Sequence, residues 1–267
     1  MQTPVIERSV LTIAGSDSCG GAGAQADLNT FAAFGVYGAS VITAVTARNT
    51  LGVKAFEAVS DHLIVAQIEA VLEDLPVRAI KIGALPSVAG IAILGELLES
   101  QGTPVPLVVD PVVIAPEERQ LAGDTVLEAI RNHLFPLANV ITPNLEEARV
   151  LTGLNITDME SMESAARDLL ANGPAAVLLK GGKFDGGSVH DILVDANGTQ
   201  LFTHQAYPGR FHGTGCALSS AIAAGLALEK SLPEAVQDAV AYVQSCLENS
   251  LAPVKGRLAL LGHSPRY

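Results

Sequence analysis

The chain has no tryptophan, only three cysteines and an aromatic fraction of 4%. Cys19, Cys216 and Cys246 are an odd number at wide spacing with no CxxC pair, which excludes a disulfide framework and a thiolate zinc site. Positive charge is scarce as well. Lysine and arginine total 16 against 28 aspartates and glutamates, and the net charge of −12 excludes a broad nucleic-acid or anionic-membrane surface. Any anionic substrate must then be held by local groups. No stretch reaches the roughly 18 uninterrupted apolar residues of a membrane span. The opening MQTPVIERSVLTIAG, broken by Glu7 and Arg8, has no apolar core of signal-peptide length, so a cytoplasmic protein is expected. The common phosphate fingerprints GxxxxGK[ST] and GxGxxG are missing too. No Pro/Ser-rich linker, repeat or charge block marks a boundary, so residues 1–267 are expected to form a single domain.

Short β-branched runs alternate with helical patterns. Val10 to Gly15, Ser40 to Thr46, Ala79 to Ala84, Leu107 to Val112, Val140 to Thr142 and Ala176 to Gly181 read as buried strands. Helices are expected near Ala24–Ala33, Leu63–Leu75, Ser87–Ser100, Asp124–Leu134, Leu145–Thr152 and Ser161–Asn172, with two long ones at the end. This order predicts an α/β fold with a mostly parallel sheet covered on both faces. HDILVD and TQLFTH, joined through Ala196, Asn197 and Gly198, suit a hairpin at one sheet edge.

Polar residues at the carboxyl ends of strands are ligand candidates in such sheets, and Asp17, Thr46, Arg48, Lys81, Asp110, Asn144 and Lys180 all close or follow an apolar run. His212-Gly213-Thr214-Gly215-Cys216 precedes an alanine-rich helix, so unpaired amides there can hold an anion and favour a thiolate on Cys216. A glycine turn with an inert thiol is the alternative. Asn144 and Glu147 can share the first turn of a helix and hold a hydrated Mg²⁺, or simply cap that helix. Asp110, inside VVDPVV, must be paired, hydrogen-bonded or used. Lys180 ends a buried strand before two glycines, a place for a cation near phosphates. Cys246 lies beside the stripe Val236, Val240, Val243, Leu247 and reads as core.

LTIAGSD, GGAGAQADLNTFAAFGVYGASVITAVTARNT, KIGAL, VVDPV, ITPNLEEA, LLKGG and HGTGCALSSAIAAGLA stand in the order and spacing of the hydroxymethylpyrimidine/phosphomethylpyrimidine kinases, which the chain resembles from about Val10 to Leu251. The resemblance implies a ribokinase-like three-layer α/β/α fold and phosphorylation of 4-amino-5-hydroxymethyl-2-methylpyrimidine, then of its monophosphate, with ATP and Mg²⁺ in thiamine biosynthesis. It implies that the amides of Gly213, Thr214, Gly215 and Cys216 hold the transferring phosphoryl group and that Cys216 is the base. Asn144, Glu147 and Asp110 would organise Mg²⁺ and phosphate, Lys180 would neutralise ATP, and Gly15, Asp27 and Thr46 would line the pyrimidine pocket. Lidless relatives are usually dimers, so a homodimer is expected.

The chain departs from the family pattern at several places. Arg48 stands where a glutamine is usual, and offers donors only; it either pairs with a substrate phosphate or faces solvent. Ser18 and Cys19 replace Pro-Ser, Ala84 replaces a methionine and suggests a roomier pocket, and Ala115–Asp124 carries charge where a small-residue loop is usual. A pyridoxal kinase of the same fold is the second reading, and a catalytically silent pyrimidine-binding protein the third.

Overall fold

The computed structural model describes residues 5–100, 105–112, 124–184, 186–253 and 255–263. The charged segment Ala115–Asp124 lies outside them except for the helix start at Asp124. In chain order the elements are β1 (Ser9–Asp17), α1 (Gly23–Ala33), β2 (Tyr37–Asn49), β3 (Gly52–Ala58), α2 (Asp61–Asp74), β4 (Val77–Ile82), α3 (Val88–Ser100) and β5 (Leu107–Val109). There follow α4 (Asp124–His133), β6 (Val140–Ile141), α5 (Leu145–Thr152), α6 (Met159–Leu170), β7 (Ala176–Gly182), β8 (Ser188–Asp195) and β9 (Gly198–Gln205). The chain ends with β10 (Phe211–His212), α7 (Thr214–Ala227), α8 (Leu232–Glu248) and β11 (Ala259–Leu260).

A nine-stranded sheet runs in the order β3-β2-β1-β4-β5-β6-β7-β8-β9. From β2 through β7 neighbouring strands are parallel, while β3, β8 and β9 pair antiparallel. The expected edge hairpin is β8–β9, turning through Ala196 and Asn197. The other edge carries β3, which the sequence reading missed because its residues are all exposed or half-buried. Pairing with β3 also extends β2 to Asn49, so Thr46 and Arg48 lie within a strand and not past its end.

The two-residue period of the strands sorts their side chains between two cores. Leu11, Ile13, Ile80 and Ile82 face α2 to α6, whereas Val10, Ala79, Val108 and Leu178 face α1, α7 and α8. The same alternation sends Thr12 and Lys81 to the α1/α7 side. Helix α7 is built mostly of small residues, with Ala217, Ala221, Ala223 and Ala224 at 0% exposure, as befits a helix enclosed by neighbours. From β1 the chain moves to β2 on one side and reaches β4 on the other. This reversal opens a crevice at the carboxyl ends of β1 and β4, where α/β sheets bind ligands.

Candidate functional site

A cleft of about 640 Å³ runs across those strand ends, and Asp17, Thr46, Arg48, Lys81, Asp110, Asn144 and Lys180 all line it. Its centre is the start of α7. Gly213 caps the helix in the left-handed region (φ 87), and a Cβ there would stand 1.8 Å from the Gly21 carbonyl oxygen, so no other residue fits. The first helical bond is donated by Ala217 to Gly213, and no side chain caps the end. The amides of Thr214, Gly215 and Cys216 therefore keep donors for an anion.

Directly beneath lies a buried ion pair. Lys180 Nζ donates to Asp110 Oδ1 at 2.9 Å, and the Thr142 hydroxyl donates to the same oxygen at 2.9 Å. A Cβ at Gly215 would sit 3.2 Å from that Nζ, which shows how closely the helix start overlies the pair. Burial opposes both charges, but Lys180 and Lys81 outweigh it for Asp110, whose pKa falls below the ordinary value. Likewise Asp110 and Glu147 hold the Lys180 pKa above its ordinary value against burial.

Beside this pair stands the start of α5. Asn144 Oδ1 accepts from the Glu147 amide at 2.9 Å and Glu147 Oε2 accepts from the Asn144 amide at 2.8 Å, a reciprocal capping box. The cap and a place in the cleft are thus both realised, since both residues also line it. Burial pushes the Glu147 carboxyl up to about 7, with Lys180 opposing and Asp110 adding to the rise. Among the described residues no three His, Cys, Asp or Glu side chains gather as a closed metal cage. A pair of carboxylates open to a cleft instead matches an Mg²⁺ held mainly by phosphate oxygens and water.

Cys216 overturns one expectation. Its position at a helix start suggests a stabilised thiolate, yet burial pushes the thiol up to about 11; Lys81 and the Gly23 amide pull it down and the Asp27 and Asp110 charges raise it, without reversing the effect of burial. Lys81 itself is at 0% exposure. It donates to Asp27 Oδ2 at 2.8 Å, while Thr12 and Ser220 donate to Asp27 at 2.6 and 2.7 Å. Burial would lower the Lys81 pKa, but Asp27, with Cys216 and Asp110, raises it, so the ammonium stays charged. Asp27, also at 0% exposure, does not reach the cleft wall; it stands behind Lys81.

At the β1–β2 end of the cleft are Gly15, at an irregularity in the β1–β2 register, together with Thr46, Arg48 and Ala84. Ser18 Oγ bridges the Arg48 backbone, accepting from its amide and donating to its carbonyl, each at 2.8 Å. Asp17 is a junction that motif reading left without a role. Its carboxylate accepts from the Cys19 and Ala22 amides at 2.9 and 3.0 Å and meets His212 Nε2 at 2.7 Å. Burial works against that charge, but the His212 and Cys19 hydrogen bonds outweigh it and lower the Asp17 pKa. The glycine-rich loop after β1 is thereby fastened to the residue before Gly213.

The opposite end was missed altogether. Beyond Lys180 and Gly181 the walls are Val189, Val243, Leu247 and Leu258, with Lys183, His204 and Gln244 as polar groups. Asp191 Oδ1 accepts from the Gly181 amide at 2.7 Å, and its Oδ2 lies 3.1 Å from His204 Nε2. Burial disfavours a charge on His204, but Asp191 outweighs both this and Lys183, raising its pKa. The signal that singled out Asp110, a carboxylate within an apolar run, applies equally to Asp191 in HDILVD.

Comparison with known proteins defines the class first. The structure of the pyridoxal kinase from Staphylococcus aureus in complex with AMP-PCP and pyridoxal aligns with a TM-score of 0.86 over 96% of this chain and 93% of that one, at 33% identity. The fold is that of the ribokinase-like kinases of small molecules. Sequence narrows it further. A family model described as phosphomethylpyrimidine kinase matches residues 17–260. Hydroxymethylpyrimidine/phosphomethylpyrimidine kinase from Streptomyces coelicolor is 41% identical over 261 residues, 97% of this chain and 96% of that protein. The structure of phosphomethylpyrimidine kinase from Clostridium difficile is 44% identical with a TM-score of 0.79, covering 89% of this chain and 98% of that one. The chain belongs to the phosphomethylpyrimidine kinase family and is a phosphotransferase, with pyridoxal kinases as structural relatives.

Proposed function

We propose that the chain, acting as one catalytic domain, transfers the terminal phosphoryl group of ATP to 4-amino-5-hydroxymethyl-2-methylpyrimidine and to its monophosphate, in thiamine biosynthesis. The observation that carries this reading is the open start of α7 set over the Lys180–Asp110 pair, in a cleft that continues to both sides. Phosphoryl transfer depends on alignment and on spreading negative charge. The amides of Gly213 to Cys216 would cradle the transferring group, and Lys180 would hold ATP phosphates with the N–H donors that Asp110 does not take. The pyrimidine would lie against Gly15, Thr46 and Ala84, with Asp27 acting through Lys81.

Glu147 and Asp110 would hold Mg²⁺ jointly with phosphate oxygens, with Asn144 fixing Glu147 through the cap. Bound there, the ion neutralises phosphate charge. Cys216 would accept the proton of the substrate hydroxyl as the new P–O bond forms. Because the thiol is raised to about 11, the competent thiolate is a minor form at neutral pH. The phosphate monoester is already an anion and needs no such step. Arg48 would pair with that monoester.

The absence, among the described residues, of any helix long and apolar enough to cross a membrane is compatible with a cytoplasmic enzyme. A homodimer is the expected assembly, with β3 at an exposed sheet edge. The test is Mg²⁺-dependent ADP release with the pyrimidine alcohol, its monophosphate and pyridoxal supplied separately at equal concentration. Turnover of both pyrimidines above pyridoxal is the expected result. Faster turnover of pyridoxal would transfer the assignment to that substrate, and no turnover with any of them would leave a binding protein.

A further inference from the structure

The transfer chemistry leaves Asp191, His204 and Gln244 without a task, although they line the end of the cleft beyond Lys180. That end combines apolar walls, Val189 and Val243 among them, with a few polar groups, which suits a flat heteroaromatic ring whose phosphates reach back to the α7 start. We infer that Gln244 reads the 6-position of the purine in the nucleotide donor, and that the Asp191–His204 pair is a positioning device that decides which edge of the Gln244 amide faces it. This rests on the kinase reading given above.

The argument is one of donors and acceptors. Asp191 is tied by Oδ1 to the Gly181 amide at 2.7 Å, which turns Oδ2 toward His204 Nε2 at 3.1 Å. A carboxylate only accepts, so Nε2 carries the hydrogen, and in the neutral ring Nδ1 is left with a lone pair. Gln244 Nε2 lies 3.0 Å from Nδ1 and must donate to it. The amide is therefore held one way round, leaving its oxygen as the acceptor for a ligand. An acceptor takes the 6-amino group of adenine and opposes the 6-oxo group of guanine. Without the histidine an amide can turn over and serve either base, so fixing it supplies the discrimination.

The test uses the full-length protein at pH 8.5, because alkaline conditions move the histidine toward its neutral form against the rise that Asp191 causes. ADP and GDP affinities are measured by calorimetry, and kcat/KM by turnover with ATP and GTP. The wild type is expected to prefer the adenine nucleotides. Gln244→Leu should reduce that preference about tenfold, the worth of one hydrogen bond. Asp191→Asn can keep its oxygen on the Gly181 amide while presenting NH₂ to Nε2; the ring hydrogen then moves to Nδ1, Gln244 turns over, and preference shifts toward GDP and GTP. If Asp191→Asn does not fold, Gln244→Leu decides alone. A wild type without preference, or an unchanged ratio in Gln244→Leu with ADP still bound, overturns the inference and leaves the kinase reading standing. A wild type that binds the pyrimidine but neither ADP nor ATP overturns both.

Discussion

Replacing Asp27 by asparagine tests whether the Lys81 side of the site is electrostatically built. Asp27 and Lys81 are both at 0% exposure, and the carboxylate accepts from Thr12, Ser220 and Lys81. Asparagine keeps the volume but removes the charge, and its single oxygen cannot serve all three donors. The Lys81 ammonium would remain buried beside Thr12 and Ser220 without its countercharge. Breaking a buried pair from one side costs roughly 3–5 kcal/mol, a large part of the ~5–15 kcal/mol of a typical fold. With a urea m-value of about 3 kcal/mol/M, the midpoint should fall by about 1–1.7 M. The assay is urea unfolding followed by circular dichroism and intrinsic fluorescence, with coincident transitions required. A double-mutant cycle with Lys81→Met completes it. Removing the lysine from the Asp27→Asn background should restore at least about 1.5 kcal/mol, because the stranded charge leaves with it. An Asp27→Asn cost under about 1 kcal/mol, or strict additivity with Lys81→Met, would refute the reasoning.

Other substitutions probe the remaining contacts. Burial pushes the Cys216 thiol up to about 11, so below that value the thiolate fraction rises about tenfold per pH unit; kcat/KM for the pyrimidine alcohol should climb from pH 7 to 9 far more steeply than that for the monophosphate, and a plateau near neutrality for the alcohol would count against a base role. Cys216→Ala should correspondingly impair the first phosphorylation far more than the second, measured by separate turnover assays. Gly225→Ala places a Cβ 2.8 Å from the Ala235 Cβ, and overpacking of the α7–α8 contact should lower stability by about 1–2 kcal/mol, read as a drop in Tm. Arg48→Gln should lower kcat/KM for the monophosphate about tenfold and spare the alcohol, as expected for loss of one charge-assisted hydrogen bond.

What could be read from the chain was local. Apolar runs of the buried strands announce themselves, and the polar residues closing them converge on one cleft because parallel strands end on the same side. Strand β3 carries no such run, since its side chains are exposed or half-buried, and only its pairing with β2 makes it a strand. The partnerships are the part that spacing could not supply. Lys81 and Asp27 are 54 positions apart and His212 and Asp17 are 195 apart, so their meeting follows from the sheet order and not from any motif. The thiol of Cys216 shows the same limit in electrostatic form. A helix start is visible in Gly-Thr-Gly-Cys, but the burial that overrides it is a property of the folded site, where Lys81 from β4 and Asp27 from α1 come near the thiol.

The paired lysines also explain how an acidic chain can handle anions. At a net charge of −12, long-range attraction for a nucleotide is not on offer, and free lysines in the cleft would attract the carboxylates of the protein itself. Instead the two lysines that flank the α7 start are already matched, Lys180 to Asp110 and Lys81 to Asp27. Such a pair has little field at a distance, yet an ammonium has three N–H donors and the recorded carboxylate contact occupies one of them. Lys180 can therefore meet a phosphate without first giving up its aspartate or being recruited from solvent. Removal of the aspartate would not free a stronger cation. It would release a flexible side chain whose burial lowers its pKa, so the anion site is strongest with its countercharge in place.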